Sequence, residues 1–173
     1  MVNEQQSSEP HILFQLGKTH YGVPSRLVEQ MEMVEEFTPV PNAPEFVEGL
    51  VFVRGRVIPA INLRRRFGFS KIPYDTASRL MVVRSSGRSV GLIVDTAREF
   101  LSIDTTSIQP PPDAVSGLSG QYLKGIASLD DRLVLILDIE EILNAAAEAI
   151  PSMEGVDEME NAENNITETV LSE

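Results

Sequence analysis

The amino-acid sequence predicts a mainly all-β fold of two small β-barrels in pseudo-repeat, with short helices and a C-terminal helix. Eight short runs rich in Val, Ile, Leu and Phe are separated by turn residues such as Gly-Lys-Thr, Arg-Gly, Ser-Ser-Gly and Asp-Asp, which is typical of short strands. The chain also resembles itself, because residues 49–63 align with residues 125–139 without a gap. Repeated short strands favour closed barrels, which leave no exposed sheet edge.

The elements follow from these patterns in chain order. The predicted strands are residues 11–17, 20–24, 46–53, 56–63, 79–86, 88–95, 122–129 and 132–139. Residues 25–33, SRLVEQMEM, predict a short turn that leads into another strand, and residues 63–69, LRRRFGF, predict the start of a short helix. Residues 140–150, EEILNAAAEAI, end on good helix formers and predict the C-terminal helix.

The internal repeat has a fixed offset of 76 residues over its best part, where Gly49 aligns with Gly125 and Arg56 with Arg132. Upstream, ILFQLGKTHYGV resembles LMVVRSSGRSVGL if one residue is allowed to slip, and each half carries a proline-rich connector, TPVPNAP or QPPPDAV. Chance similarity between two hairpins is the alternative, but the ungapped spacing favours a repeat. Two tandem halves of about 65 residues are each too small to be stable alone, so we expect them to share a packed interface.

Equivalent hairpin tips are predicted at Arg54-Gly55 and at Asp130-Asp131. A two-residue tip requires positive φ, which glycine and aspartate tolerate and which makes Arg54 an unusual choice. Arg54 has no counterpart in the second half, which favours a functional role, with a structural salt bridge as the alternative. Arg56 and Arg132 occupy equivalent positions in the two halves, which indicates an architectural role for them.

Composition narrows the class of protein. The 173 residues are 42% hydrophobic and 23% charged, as in a soluble globular domain. No apolar stretch approaches the roughly 18–20 residues that span a bilayer, and the first ten residues, MVNEQQSSEP, do not resemble a signal peptide. The chain has no cysteine, which excludes disulfides, thiolate zinc sites and cysteine nucleophiles. We therefore expect a cytoplasmic protein.

Charge is concentrated at the C-terminus. Residues 145–173 hold eight acidic residues and no basic one, which leaves 18 acidic and 14 basic residues in residues 1–144. This segment predicts the end of a helix followed by an acidic disordered tail, and residues 1–10 predict a flexible N-terminus. A solubilising tail is the simpler interpretation, and a docking peptide is the alternative.

Catalytic and metal chemistry find little support in the residues. His11 and His20 are the only histidines, and neither lies in a set of metal ligands. Ser85 and Ser86 have no nearby base, and GKTHYG lacks the frame of a phosphate loop. The sequence therefore predicts no catalytic residue, no metal site and no cofactor.

Small barrels also bind nucleic acids, and the run Arg64-Arg65-Arg66 is a basic spot. The body of the chain is acidic, however, and it has three tyrosines and no tryptophan to stack on bases. A solvated face or a contact with an acidic partner is the preferred interpretation of the arginines, and nucleic-acid binding is the alternative.

Residues 41–68, PNAPEFVEGLVFVRGRVIPAINLRRRFG, resemble the core of the CheW-like domains of bacterial chemotaxis. Further matches are FQLGKTHYGVP, SVGLIVDTAREFLSI and YLKGIASLDDRLVLILDIEEIL, which agree in order and spacing. The resemblance covers residues 11–144, which we therefore expect to form one domain of two barrel subdomains. Asn62 departs from the family pattern, which usually has Asp at that position.

The resemblance implies two intertwined five-stranded β-barrels around a hydrophobic core. It implies a non-catalytic adaptor that couples the cytoplasmic tips of methyl-accepting chemoreceptors to the regulatory domain of a chemotaxis histidine kinase. Such a protein would be a monomer when isolated, and it would lie in the cytoplasm in association with membrane receptor arrays, without inserting into the membrane. A type IV pilus or another non-flagellar chemosensory pathway would use the same fold.

The resemblance also implies sites by position. The receptor-binding groove is expected to include Val28, Arg54 and Leu80, with plain core packing as the alternative for the two apolar residues. The kinase contact is expected on the apolar rim of the first barrel. Its candidate residues, around the proline-rich turn, are Val40, Pro41, Phe46 and Val47.

Overall fold

The computed structural model describes residues 7–113 and 120–149, which form ten strands and two α-helices. The strands are β1 Ser8–Leu16, β2 Thr19–Pro24, β3 Val28–Met33, β4 Val47–Val53, β5 Arg56–Asn62, β6 Arg79–Ser85, β7 Arg88–Val94, β8 Thr96–Asp104, β9 Leu123–Leu129 and β10 Arg132–Leu137. The helices are α1 Leu63–Arg66 and α2 Ile139–Ala149, with 3-10 turns at Ser25–Leu27, Thr105–Ser107 and Gly120–Tyr122. No helix in this part of the chain is long and apolar enough to cross a membrane.

The strands form two five-stranded sheets that draw on both halves of the chain. Barrel A has the strand order β8-β1-β2-β10-β9, and barrel B has the order β3-β6-β7-β5-β4. The β1–β2 hairpin of the first half thus lies in the barrel of the second half, and the β6–β7 hairpin does the reverse. The predicted fold of two intertwined five-stranded barrels is confirmed. A tandem arrangement of two separate halves is wrong, because each half gives its first hairpin to the other barrel.

Each barrel is closed by a bridge that the connectors supply. After β3 the chain turns back so that Thr38 pairs with Leu50 in β4, and after β8 Gln109 pairs with Ile126 in β9. A glycine precedes each bridged strand residue, Gly49 in β4 and Gly125 in β9. A Cβ at Gly49 would collide with the carbonyl of Thr38, and a Cβ at Gly125 would lie 2.8 Å from the carbonyl oxygen of Gln109. The two glycines of the repeat therefore permit the close approach that completes each barrel.

Among the described residues, the apolar side chains form three clusters. The largest lies between the barrels and also contacts both helices; its most buried members include Phe14, Val23, Ile61, Leu63, Met81, Val83, Leu92, Tyr122, Leu137 and Ile139. The interior of barrel B holds Val53, Ile58, Ala60, Leu80, Val82 and Ile93, and the interior of barrel A holds Leu13, Ile103, Ala127, Val134 and Ile136. The shared core is larger than either barrel interior, as expected for two halves that need each other.

The repeat is more regular than the sequence alone indicated. Leu16 pairs with Thr19 in the first hairpin and Ser85 pairs with Arg88 in the second, which is a constant offset of 69 with no residue slipped. The offset of 76 holds between the β4–β5 and β9–β10 hairpins. The apparent slip upstream was wrong because Gly17 starts one two-residue turn whereas Gly87 ends the other.

The first strand begins earlier in the chain than expected. The expected flexible N-terminus extended to Pro10, but β1 begins at Ser8, which pairs with Asp104 of β8. The predicted C-terminal helix is α2, which ends at Ala149. The acidic tail from residue 150 onward lies outside the described residues.

Candidate functional site

The β4–β5 hairpin ends in a tight turn at Arg54 and Gly55, whose φ angles are 47° and 80°. Val53 pairs directly with Arg56 across the turn, so this is the two-residue, type I′ connection that suits a right-twisted hairpin. Arg54 is exposed, and the salt bridges found among residues 7–113 and 120–149 do not include it. A structural salt bridge therefore does not account for Arg54 within the described chain.

Arg56, two residues further on, is held by its own barrel. Its guanidinium donates to Oε2 of Glu29 at 2.6 Å and to Oγ of Ser89 at 3.3 Å, and Arg84 donates to Oε1 of Glu29 at 3.3 Å. Burial raises the pKa of Glu29, but the two arginines outweigh burial and hold that pKa below its usual value. Arg56 therefore links β5 to β3 across the intervening strands β7 and β6, as the repeat led us to expect.

The equivalent end of barrel A has the same backbone and a different charge. Arg132 donates to Oε1 of Glu99 at 2.8 Å, which repeats the contact of Arg56 with Glu29. Asp130 at the tip has a φ of 49°, close to that of Arg54. The two barrels thus present matching hairpin tips, one cationic and one anionic.

The three predicted receptor-binding residues do not form one surface. Val28 begins β3, pairs with Val83 and is half-buried against the shared core, next to the ion pair of Glu29. Leu80 is only 1% exposed and lies inside barrel B, where Gly91 leaves room for it. Val28 and Arg54 are therefore brought to the same end of barrel B, whereas Leu80 supports that barrel from within.

The predicted kinase-binding residues lie along the connector before β4 and are unequally exposed. Pro41 is exposed and Val40 is half-buried, in a turn where Ala43 donates to the carbonyl of Val40 at 3.3 Å. Phe46 is half-buried, and Val47 belongs to the shared core. The connector is accessible to a partner mainly at the turn of Val40 and Pro41, and Phe46 and Val47 hold its end against the shared core.

An exposed apolar pair escaped the sequence interpretation. Phe52 is 72% exposed and Val57 is 41% exposed, and they face each other across β4 and β5. Leu50 and Pro59, the next pair on this face, are half-buried. The signal was present in the sequence, because LVFV and RVIP are apolar at successive positions, so both faces of this hairpin must carry apolar side chains.

The arginine run of α1 is engaged by the protein itself. Arg64 donates to both carboxylate oxygens of Asp95, at 2.8 and 2.7 Å, and Asp95 also accepts from the amide of Gly17 at 2.7 Å. Arg66 lies between the rings of Phe46 and Tyr122, with its guanidinium carbon 4.7 and 4.8 Å from their centres. The run is therefore a clasp between the barrels, which removes the main observation in favour of nucleic-acid binding.

Within the described ranges, no cluster of three or more His, Cys, Asp or Glu side chains could hold a metal ion. Comparison with known proteins places the chain in a family. A family model for the CheW-like domain matches residues 10–147. The chain belongs to the CheW-like domain family.

Individual relatives agree. The chain is 30% identical over 139 residues to the chemotaxis protein CheW of Klebsiella aerogenes, covering 80% of this chain and 84% of that protein. The crystal structure of scaffolding protein TtCheW from Thermoanaerobacter tengcongensis superposes with a TM-score of 0.71 at 32% identity, covering 80% and 90% of the two chains. Protein FrzA of Myxococcus xanthus is 27% identical over 135 residues, covering 77% and 84%. The protein is thus a member of a chemotaxis scaffold family.

Asn62 is the position at which this CheW-like domain departs from the expected aspartate. Its Nδ2 donates to Oε1 of Glu48 at 3.0 Å and to the hydroxyl of Tyr74 at 2.8 Å, and its Oδ1 accepts from the amide of Arg65 at 3.2 Å. Asp138 caps α2 in the same way, at offset 76, by accepting from the amide of Glu141 at 3.3 Å. The cap needs only an oxygen, but Glu48 needs a donor, which explains the amide.

Proposed function

We propose that the protein is a non-catalytic adaptor that couples the cytoplasmic tip of methyl-accepting chemoreceptors to the regulatory domain of a histidine kinase. It would act in the cytoplasm, at membrane receptor arrays. The observation that carries the proposal is membership of the CheW-like family along residues 10–147, from β1 to α2. One relative is a chemotaxis protein and one similar solved structure is a scaffolding protein, which supports a role in binding.

The receptor is proposed to bind at the end of barrel B that carries Val28 and Arg54. The guanidinium of Arg54 is exposed and can donate several hydrogen bonds to carbonyl or acidic groups of a helical tip. Val28 is half-buried beside it and can meet an apolar residue of that tip. Leu80 would contribute indirectly, because its burial holds β6, the strand that pairs with Val28, in place.

The kinase is proposed to contact the outer face of the first-half strands of barrel B. The turn at Val40 and Pro41 supplies one edge, and Phe46 and Val47 position it. The pair Phe52 and Val57 adds the larger apolar area, because aromatic side chains dominate the energetics of protein interfaces. We include this pair in the proposed contact.

Reconstitution tests the proposal. Receptor tips on vesicles, a chemotaxis kinase and this protein are combined, and kinase autophosphorylation is measured. We expect activation only when all three are present. Phe52→Ser should abolish binding to the kinase regulatory domain, whereas Phe100→Ser, a control at a residue 68% exposed on barrel A, should bind as wild type does. Failure to bind either a receptor tip or a kinase domain contradicts the proposal.

A second pathway is the alternative within the same function. Protein FrzA of Myxococcus xanthus, one of the relatives above, matches 77% of this chain. The alternative is that the adaptor serves a type IV pilus or another non-flagellar system. Deleting the gene and comparing swimming in soft agar with spreading on a surface distinguishes the two pathways, because only the pathway served loses its response. Single-stranded DNA serves as a control ligand that should not bind.

A further inference from the structure

One end of barrel B concentrates positive charge. Arg56 and Arg84 share the single carboxylate of Glu29, and Arg54 extends from the adjacent tip. The side chains of Arg56 and Arg84 are 38% and 47% exposed, and that of Glu29 is 28% exposed. We call this set of three arginines and one glutamate the arginine end. One glutamate cannot neutralise three guanidinium groups, so the arginine end attracts an anion.

The corresponding end of barrel A provides a contrast within the same molecule. It carries Asp130 and Asp131 at the tip, Glu99, Arg98 and Arg132 behind them, and Lys18 in the adjacent β1–β2 turn, so it has no excess of positive charge and its tip is acidic. We call this set the aspartate end. The two ends are related by the internal repeat, and they differ in charge far more than in backbone.

A strongly anionic segment is attached to the same chain. Residues 150–173 contain seven acidic residues, at positions 154, 157, 158, 160, 163, 168 and 173, and no lysine or arginine. This segment carries more than half of the net charge of −12 of the protein. It therefore complements the arginine end and is repelled by the acidic tip of the aspartate end.

The segment starts within reach of the arginine end. Glu140 in the first turn of α2 accepts from Oγ of Ser86 at 3.0 Å and from Arg88 at 2.9 Å, so α2 begins at the β6–β7 turn, which follows Arg84 in the chain. The 11 residues of α2 span about 16 Å. A polar chain of 24 residues has a root-mean-square reach of about 27 Å, which is sufficient to return from Ala149 to Arg84.

We propose that residues 150–173 dock on the arginine end of barrel B and compete there with the acidic or carbonyl groups of a partner. The contact is intramolecular and electrostatic, so its effective concentration is high while each charge pair remains weak. The segment then acts as a reversible shield that sets a threshold for partner binding. Competition with a receptor rests on the function proposed above, whereas docking itself does not.

Paramagnetic relaxation enhancement tests the docking on the full chain. The protein has no cysteine, so Ser172→Cys gives a single site for a spin label. At low salt we expect the label to broaden the amide signals of Gly55, Arg84 and Gly87 and to leave those of Asp130 and Asp131 sharp. In about 0.5 M NaCl, where charges are screened beyond ~4–5 Å, the broadening should disappear.

Two variants sharpen the test. Arg84→Gln should reduce the broadening at Gly55, whereas Arg98→Gln, an exposed arginine on barrel A, should not. Broadening that is absent, that is equal at both ends, or that survives high salt overturns the proposal. A mixture of isotope-labelled protein with spin-labelled, unlabelled protein must show no broadening; if it does, the occupant is a second copy and the intramolecular contact is refuted.

The competition is measured separately. Deleting residues 150–173 should raise the affinity for a soluble receptor-tip peptide by about two- to tenfold at low salt, which corresponds to one or two exposed charge pairs. Thermal stability and kinase-domain binding should not change. If docking is observed but affinity is unaltered, the shielding part of the proposal is refuted. If the peptide fails to bind either form, the proposed receptor function fails while docking stands.

Discussion

Arg54 and Arg56 lie two residues apart and satisfy different physical demands. Arg54 occupies a left-handed conformation, with φ of 47°, that asparagine and glycine adopt at lower cost, so the turn alone does not explain an arginine. Arg56 lies in the ladder opposite Val53 and donates to Glu29 and Ser89. Among the described residues Arg54 makes no salt bridge, whereas Arg56 is bound to its own barrel.

Single substitutions at these two arginines should affect receptor binding and folding stability separately. Arg54→Asn should leave the free energy of unfolding unchanged or raise it by up to about 1 kcal/mol, because asparagine tolerates positive φ. It should weaken receptor-tip binding by about ten- to hundredfold, the loss expected for a charged hydrogen bond. Arg56→Ala should lower the stability by about 1 kcal/mol and preserve receptor binding. Urea unfolding and binding titrations on both variants measure this, and the reverse pattern contradicts the assignment.

Asn62→Asp tests the amide at the cap of α1. Burial raises the pKa of Glu48, but hydrogen bonds from Tyr74, Lys71 and Asn62 outweigh burial and hold that pKa below its usual value. In the wild type this contribution to stability is present above the unfolded pKa of Glu48 and is lost as pH falls. In the Asn62→Asp variant, a second carboxylate replaces the donor and repels Glu48. The pKa of Glu48 in the folded variant therefore rises, and the variant loses stability as pH increases. We expect a loss of about 1–3 kcal/mol at pH 7 and a smaller loss near pH 4 by urea unfolding, with Asn62→Ser as the control that keeps a cap without charge.

At the scale of the element, the sequence predicted most strands and the equivalence of two hairpins. Strand patterns alone could not predict the exchange of hairpins, which only the family resemblance implied, because β2 pairs with β10 and β7 with β5 through residues far apart in the chain. They also could not place Leu80, since an apolar residue in a strand is equally compatible with a barrel interior and with a groove. The kinase and receptor assignments stay predictions. Strand patterns record which residues are apolar, whereas the faces of a closed barrel depend on partners that the pattern does not name.

The glycines at the closing bridges give a prediction at this scale. Gly49→Ala should lower the free energy of unfolding by more than about 2 kcal/mol, because its φ of 149° and the carbonyl of Thr38 both exclude a Cβ. Gly125→Ala should be similarly severe. Gly87→Ala, at a turn with φ of 77° and open space around it, is the matched control and should cost only about 1 kcal/mol. Equal effects at all three positions, measured by urea unfolding, would mean that closure contributes nothing.

At the scale of the whole molecule, the shared core and the exchanged hairpins make the barrels interdependent. The shared core takes residues from the two exchanged hairpins, β1–β2 and β6–β7, from both helices, and from β5 and β10. Asp95, at the passage from β7 in barrel B to β8 in barrel A, accepts from Arg64 and Gly17. Burial raises the pKa of Asp95, but these donors outweigh burial and keep the pKa low, so this clasp persists until pH falls well below neutral.

Fragment complementation tests that interdependence. Residues 1–77, expressed alone, should be unfolded by circular dichroism. In this fragment β1 and β2 lack their neighbours β8 and β10, and β3 lacks β6. Residues 78–173 should behave likewise. Mixed together, the two fragments should recover the strand spectrum and a single cooperative melting transition, since four of the eight strand pairings join one fragment to the other. A fragment that folds alone with native-like dispersion would show that its half is an independent barrel.

The hairpin exchange has a consequence for ancestry. Ten strands that superpose when the first five are interchanged with the last five are what two copies of a five-strand peptide would form by swapping their hairpins. Such a symmetric dimer would carry two identical tips and could not treat one neighbour differently from another. In a single chain the two tips can differ, as Arg54 and Asp130 do. Covalent linkage of the two halves thus gives the molecule a direction, which the proposed link between two different neighbours requires.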